Sequence, residues 1–322
     1  MDIVQVEAAA FATCIRRAAG TVECWGQNDV GQLGRGFAGE PGPLGKVLEL
    51  EDAVQLSAGG RHLCTRNVSG TIMCWGYNRE GQLGDGTTTD RWSPVELSDI
   101  YDSVYVTAKG NTCSIRPDGS LWCCGENKLG TLGTGLNIGN QKTPSPVIGL
   151  DHIIQATGSN CAVEENGRLW CWGFNQWGEV GDGTHNNRTT PTVILNDMAS
   201  VSTWGEIGCG VDLSRRVWCW GFLVGPVPLL RDGINDAVKV APGREHVCAL
   251  LASREVVCWG RNGGECSALA ISRTIQKMST SKGFLTSSIS APGAITPARL
   301  KRQATYDAGA RMTLGSSGTK QR

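Results

Sequence analysis

Fourteen cysteines offer more chemistry than any other residue type in this chain of 322 residues. A thiolate binds zinc or attacks an electrophile when its surroundings lower its pKa. Twelve of the cysteines form six pairs: Cys14 with Cys24, Cys64 with Cys74, Cys113 with Cys123, Cys161 with Cys171, Cys209 with Cys219, and Cys248 with Cys258. The partners are always ten residues apart. Zinc ribbons place cysteines about two to four residues apart, so this spacing excludes them. Cys124 and Cys266 are left over, and nothing in the sequence pairs them.

Other reactive groups gather in "CWGYNREGQLGDGTTTD", from Cys74 to Asp90. Gly81, Gly84 and Gly86 suggest a loop around a phosphate, and Asp85 and Thr87 suggest metal ligands. The glycine spacing recurs along the chain without a helix whose N-terminus could cap a phosphate. Asp85 and Asp182 are matched by Arg35 and Thr134 in the other copies. A ligand position does not alternate between Asp and Arg, whereas an Asp before Gly readily bonds its own turn. Of the four histidines, His152 and His185 stand alone. His62 and His246 share a frame, "GGRHLC" and "GREHVC", which predicts a repeated structural hydrogen bond rather than a catalytic base. No serine elbow, HExxH, P-loop or EF-hand pattern occurs. The reading is therefore non-enzymatic, with no catalytic residue, cofactor or metal.

The elements that carry the cysteines repeat. First members of the pairs are spaced by 50, 49, 48, 48 and 39 residues, a period that means a solenoid, propeller or array. Midway between the partners lie "AAG", "VSG", "PDG" and "ENG", ending in Gly20, Gly70, Gly119 and Gly167. A three-residue hairpin loop ends in a left-handed residue where Gly is favoured. Each pair then sits on two antiparallel strands, directly opposed at a non-hydrogen-bonded position with Cα atoms ~4.5 Å apart. Two readings of the pairs remain. They are small core residues, or they are cross-strand disulfides. We expect disulfides, because packing alone does not readily produce six identically opposed pairs. Disulfides imply an oxidising compartment, and each closes a loop the hairpin has already closed, so each contributes at the low end of ~2–4 kcal/mol.

A repeat reads strand, hairpin, glycine loop, short strand: "AVQLSAGG", "RHLCTRN", "TIMCWGYN", "REGQLGDGTTTDRWS", "PVEL". Four short strands per repeat without a helical pattern predict one propeller blade. The fold class is all-β, a β-propeller of six to seven four-stranded blades, with seven expected and the last degenerate. The recognisable units span 1–266. A possible seventh covers 267–297, where Ser287 and Pro297 take the places of a Cys pair. Residues 298–322 are expected to be a basic tail.

The units "CWGQNDVGQLGRG", "CWGYNREGQLGDGT", "CCGENKLGTLGTG" and "CWGFNQWGEVGDGT" resemble regulator of chromosome condensation repeats. The fifth unit, "CWGFLVGPVPLL", lacks the glycine loop. The paired cysteines look like the bacterial secreted or surface variety of the family, which includes a β-lactamase inhibitory propeller. The resemblance implies a seven-bladed propeller that binds proteins. It also implies an alternative, guanine-nucleotide exchange on a small GTPase in a reducing compartment.

Binding residues should break the repeat, because blade cores recur and a binding face does not. Trp92, Trp177 and Trp204 lie outside the "CWG" frame, in or beside connections, and Arg91 and Arg188 occupy comparable loops. Trp and Arg are common anchors of protein interfaces. These five are the expected partner-binding residues, against the alternative that the tryptophans cover blade seams. Trp122, Trp170 and Trp218 precede the second Cys of three pairs and are expected to pack, as are Trp75 and Leu83.

Residues 267–322 carry nine Lys/Arg and one acid, so residues 1–266 carry 21 basic and 29 acidic groups. An acidic body gives no electrostatic footprint for nucleic acid. No run approaches the roughly 18 apolar residues of a membrane span. The start, "MDIVQVEAAAFATC", lacks a signal-peptide layout. The expected partner is a protein or cell-surface ligand, met by a monomer outside the cell or at its surface with the leader removed. A cytoplasmic location is the alternative.

Overall fold

A computed structural model of the chain describes residues 2–260, apart from Ile138, Ser159 and Arg244, together with the backbone of 276–278. Six four-stranded antiparallel sheets follow one another along the chain. They span 3–46, 53–96, 105–146, 153–195, 198–230 and 237–278, here blades one to six. Strand order within each sheet is the order in the chain. Blade one comprises β1 (Ile3–Ala8), β2 (Ala12–Arg17), β3 (Val22–Asn28) and β4 (Gly39–Lys46). Blade two comprises β5 (Ala53–Ala58), β6 (His62–Asn67), β7 (Ile72–Gly76) and β8 (Arg91–Glu96). The arrangement is an all-β propeller with six blades among the described residues. Gln276–Met278, inside the possible seventh unit 267–297, pairs with Val256–Cys258 as the outer strand of blade six. The rest of 267–322 lies outside the described residues.

The hairpins form as the loop glycines require. Gly20, Gly70, Gly119 and Gly167 have φ of +89°, +94°, +78° and +85°. In blades five and six Arg215 and Arg254 take the same left-handed place, which the sequence did not signal. The partner cysteines face each other in all six registers. Of the two readings of the pairs, the structure has the disulfides. Cys14 is bonded to Cys24, Cys64 to Cys74, and Cys113 to Cys123. Cys161 is bonded to Cys171, Cys209 to Cys219, and Cys248 to Cys258. Their Cα atoms are 4.1–4.2 Å apart, slightly closer than the spacing expected of an opposed pair. These twelve cysteines therefore carry no thiol chemistry. They are staples, and the second member of each pair, Cys24, Cys74, Cys123, Cys171, Cys219 or Cys258, lies on the third strand of its blade. Cys124 is a free, buried thiol, and burial pushes its pKa up, so it has little thiolate character.

First strands of successive blades pack together around the axis. Glutamine side chains stitch them. Gln5 Nε2 donates to the Leu56 carbonyl at 2.6 Å, and Gln5 Oε1 accepts from the Leu56 amide at 3.0 Å. Gln55 does the same to Val106, and Gln155 to Val201. Each such amide satisfies a donor and an acceptor on a backbone that would otherwise be buried unpaired.

Seams between blades use the "CWG" tryptophan. Trp75 donates Nε1–H to the Gln32 carbonyl of blade one at 3.0 Å, Trp172 to Thr131 of blade three at 3.0 Å, and Trp220 to Glu179 of blade four at 2.9 Å. All three are fully buried, and Cys124 fills the equivalent place in blade three. Leu33, Leu83, Leu132 and Val180 of the glycine loops are also fully buried. The expected packing of Trp75 and Leu83 is therefore present. The asparagine of each loop organises it from inside. Asn78 Oδ1 accepts from the Leu83 amide at 2.9 Å, while Nδ2 reaches Asp85, Thr87 and Thr89.

Candidate binding face

Two kinds of connection converge on one end of the propeller. β2 begins opposite the end of β3, Ala12 facing Gly26, and His62 faces Gly76 in blade two. The turn from first to second strand thus lies beside the connection from third to fourth strand in blades one to five. The cysteine hairpins turn at the opposite end.

On this end of blades one to three, paired charges stand beside exposed apolar side chains, Phe11, Phe37, Leu129 and Leu136. Arg61 bridges to Asp29 across the seam, and the Arg61 and Arg79 guanidiniums lie 5.5 Å and 5.9 Å from the centre of the Tyr77 ring. Lys128 pairs with Glu126 at 3.0 Å. On blades four and five the surface is aromatic. Trp177 is 54% exposed, Trp204 44% and Leu223 71%. The Trp177 ring meets Phe222 of the next blade edge-on, with centroids 5.6 Å apart and planes at 75°. Such pairs contribute ~0.5–1.5 kcal/mol beyond their burial. The tight turn at Gly221–Gly225, closed by Val224 N–H to the Gly221 carbonyl at 3.0 Å, replaces the glycine loop of other blades and presents Phe222 and Leu223. Trp204 is joined to this turn through Glu206, whose carbonyl accepts the Phe222 amide at 2.8 Å.

Beneath Trp177 lies Glu179, a buried carboxylate whose Oε2 accepts the Trp177 amide at 2.8 Å. Its Oε1 is buried without a partner. Blades one and two hold Gln32 and Gln82 here, bonding Val30 and Glu80 in the same way. Burial, with a smaller push from Glu206, raises the Glu179 pKa, and the backbone amides of Glu179 and Trp177 only partly oppose it. His185 itself hydrogen-bonds the Gln176 carbonyl at 3.0 Å.

The five expected partner residues separate in the structure. Trp177 and Trp204 share the aromatic sector. Trp92, 49% exposed, lines the seam of blades one and two, so close to Gly31 that a Cβ there would lie 2.5 Å from its ring. Its carbonyl accepts the Gly36 amide at 2.8 Å. Lys142, Thr189 and Pro226 approach Gly81, Gly130 and Gly178 in the same way. Arg91 and Arg188 are bound inside their own loops. Arg91 Nε donates to Asp85 Oδ2 at 2.7 Å, and Arg188 Nε to Asp182 Oδ2 at 2.6 Å. Burial pushes the Asp85 and Asp182 carboxyls up, but the threonine hydroxyl and amide and the guanidinium outweigh it and hold both below the usual range. Phe222 and Leu223 were missed in the sequence, although the absent glycine loop was the signal for them.

His62 makes the expected structural bond, Nε2 to Thr112 Oγ1 of blade three at 2.9 Å. His246 takes the same register opposite Gly260 but is only partly buried and makes no such bond among the described residues, so the expected repetition is not seen there. Among the described residues no cluster of three or more His, Cys, Asp or Glu could hold a metal. No helix there is long and apolar enough to cross a membrane.

Family models described as the regulator of chromosome condensation (RCC1) repeat match residues 69–113, 118–160 and 166–215, and also 53–82 and 237–264. The chain belongs to the RCC1 repeat family. A comparison with curated proteins finds no match. Solved structures with the same fold include human WBSCR16, at 22% identity and a TM-score of 0.68, covering 81% of this chain and 77% of that one. Yeast RCC1 (Prp20) bound to Kap60 shares 20% identity with a TM-score of 0.67, covering 80% and 70%. Prp20p of Saccharomyces cerevisiae, described with its binding properties to Gsp1p and histones, shares 20% with a TM-score of 0.68, covering 80% and 72%. At these identities the likeness to solved structures shows the fold of this RCC1-repeat chain.

Proposed function

We propose that this chain is a non-enzymatic binding propeller that holds a protein or cell-surface ligand on the aromatic sector of blades four and five, in an oxidising extracellular setting. The observation that carries this reading is the cluster of Trp177, Phe222, Trp204 and Leu223, contributed by two blades to one end. Large rings left in water forgo ~25 cal/mol per Å² of burial, and such clusters mark interaction sites. Rigid aromatic anchors lose little entropy on binding. The binding of Kap60 by yeast Prp20, and the study of Prp20p with Gsp1p and histones, support protein binding as a use of the fold. The six disulfides support the oxidising setting.

Two measurements test it. Thiol counting on denatured, unreduced protein should find two free cysteines, fourteen less the twelve paired. About fourteen would reject export and favour nucleotide exchange. Trp177→Ala and Trp204→Ala should each weaken ligand binding by ~1–2 kcal/mol while thermal unfolding stays within a few degrees of wild type. Loss of stability without loss of binding would make them seam residues.

A further inference from the structure

Blades one to four close the seam to the next blade in a common way. The carbonyl two residues before the second loop glycine accepts the next blade's indole N–H, as Gln32 does for Trp75, Thr131 for Trp172 and Glu179 for Trp220. In blade three Cys124 Sγ stands in for the indole, 3.7 Å from the Gln82 carbonyl. The glycine then lies flat on the ring. A Cβ at Gly34 would meet Trp75 Nε1 at 2.9 Å, and one at Gly133 would meet Trp172 Nε1 at 2.9 Å. An aliphatic after the outer strand, Val47, Leu97 or Val147, packs against that glycine from the other side.

Blade five breaks both halves of this arrangement at once. It has no glycine loop, and Arg231 stands where Val47, Leu97 and Val147 stand, its amide bonded to Val217 as theirs are to the matching third strands. The next tryptophan, Trp259 of blade six, is only partly buried and, like Phe222 and Val224, packs against the buried cluster of blades five and six. Its Nε1–H has no acceptor among the described residues. The Arg231 guanidinium lies 5.6 Å from its ring centre and has no carboxylate partner among the described residues. Among the described residues the notch therefore holds a hydrogen-bond donor without an acceptor and a cation without a carboxylate, over the apolar cluster of blades five and six.

We propose that this notch is a recognition socket for an aliphatic–Gly–Asp segment on a protein partner, which enters as the missing loop would. It rests on the protein-binding reading above and names the part of the partner that is taken. The segment's carbonyl accepts the Trp259 N–H, its aliphatic side chain fills the seam, and its glycine permits contact with the ring. Its aspartate meets Arg231. That order is the chain's own, since Asp85 follows Leu83-Gly84 and Asp182 follows Val180-Gly181. There the aspartate pairs with Arg91 or Arg188 at the start of the outer strand, a place Gly225 takes in blade five, and Arg231 supplies the guanidinium from the end of that strand instead.

The probe is acetyl-Gly-Gln-Leu-Gly-Asp-Gly-Thr-amide, the sequence of residues 81–87. Indole 1H–15N spectra of the full, oxidised chain are recorded during titration to about 5 mM peptide. Trp259→Phe assigns the resonance. Should that variant unfold, Arg231→Ala assigns it by removing the guanidinium over the ring. The Trp259 signal should shift saturably. Alanine in place of the glycine after leucine should weaken binding at least about tenfold, because its Cβ would clash with the ring. Asparagine in place of aspartate should weaken binding several-fold in wild type but not in Arg231→Ala. A static Trp259 signal, a shift indifferent to the glycine-to-alanine exchange, or a shift of another indole in its place overturns the socket. If Trp259 is static while Trp177→Ala and Trp204→Ala still lose the ligand, the socket fails and the binding face stands.

Discussion

His62 shows how a single side chain can look catalytic and be structural. The Thr112 hydroxyl gives its proton to the Gln82 carbonyl at 2.6 Å, so His62 Nε2 must be the donor to Thr112, which fixes the neutral tautomer. Full burial lowers its pKa from 6.5 to about 4. A group whose folded pKa lies below its unfolded value binds its proton first in the unfolded chain. Stability is therefore complete above pH 6.5 and declines as pH falls toward 4, by about 3 kcal/mol from this residue. His62→Gln keeps a donor to Thr112 and removes the titration. Urea unfolding at pH 7.5 and 4.5 should show a smaller loss for the variant than for wild type. An equal loss would mean that other groups carry the acid sensitivity. The role was readable in outline, because His62 and His246 share a frame. Its partner was not, since Thr112 lies on the next blade.

At the scale of the element, the glycine loop is built around its asparagine. Asn78 is fully buried and spends both Oδ1 and Nδ2 on loop groups. Asn78→Ala would leave the Leu83 amide and several carbonyls unpaired, and should cost about 2–4 kcal/mol, read from denaturant midpoints. Arg91→Ala leaves the Asn78 bonds in place and removes one partner of a mostly buried Asp85, so it should cost less, about 1 kcal/mol. A larger loss for Arg91→Ala than for Asn78→Ala would show that the ion pair organises the loop. The "WG.N" spacing made the loop visible in the sequence, whereas the inward direction of the asparagine depended on its left-handed glycines.

At the scale of the molecule, every disulfide among the described residues lies within one hairpin, from Cys14 with Cys24 in blade one to Cys248 with Cys258 in blade six, and none of them crosses a seam. Cohesion between blades rests instead on the tryptophan ladder, the glutamine stitches and the clusters between neighbouring sheets. Full reduction should therefore lower the melting temperature while leaving the near-ultraviolet dichroism of the buried tryptophans intact at 25 °C. The six hairpins are already closed by their turns, so each staple adds only about 2 kcal/mol or less. Collapse of the near-ultraviolet signal on reduction would show that the staples hold the ring itself.

The sequence by itself determined what is local to a blade: the period, the hairpins, the opposed cysteines and the glycine loops. Turn length and strand alternation fix these over about ten residues, and both are written in residue types. Tertiary structure decided what happens between blades. Trp177 meets Phe222 forty-five positions away, Trp92 settles against Gly31, and Arg231 covers Trp259. Those encounters depend on how each sheet is rotated against the next, and no periodicity along one chain records that rotation. For the same reason a missing loop in blade five could be read from the sequence, but the tryptophan of blade six that it leaves without an indole acceptor among the described residues could not.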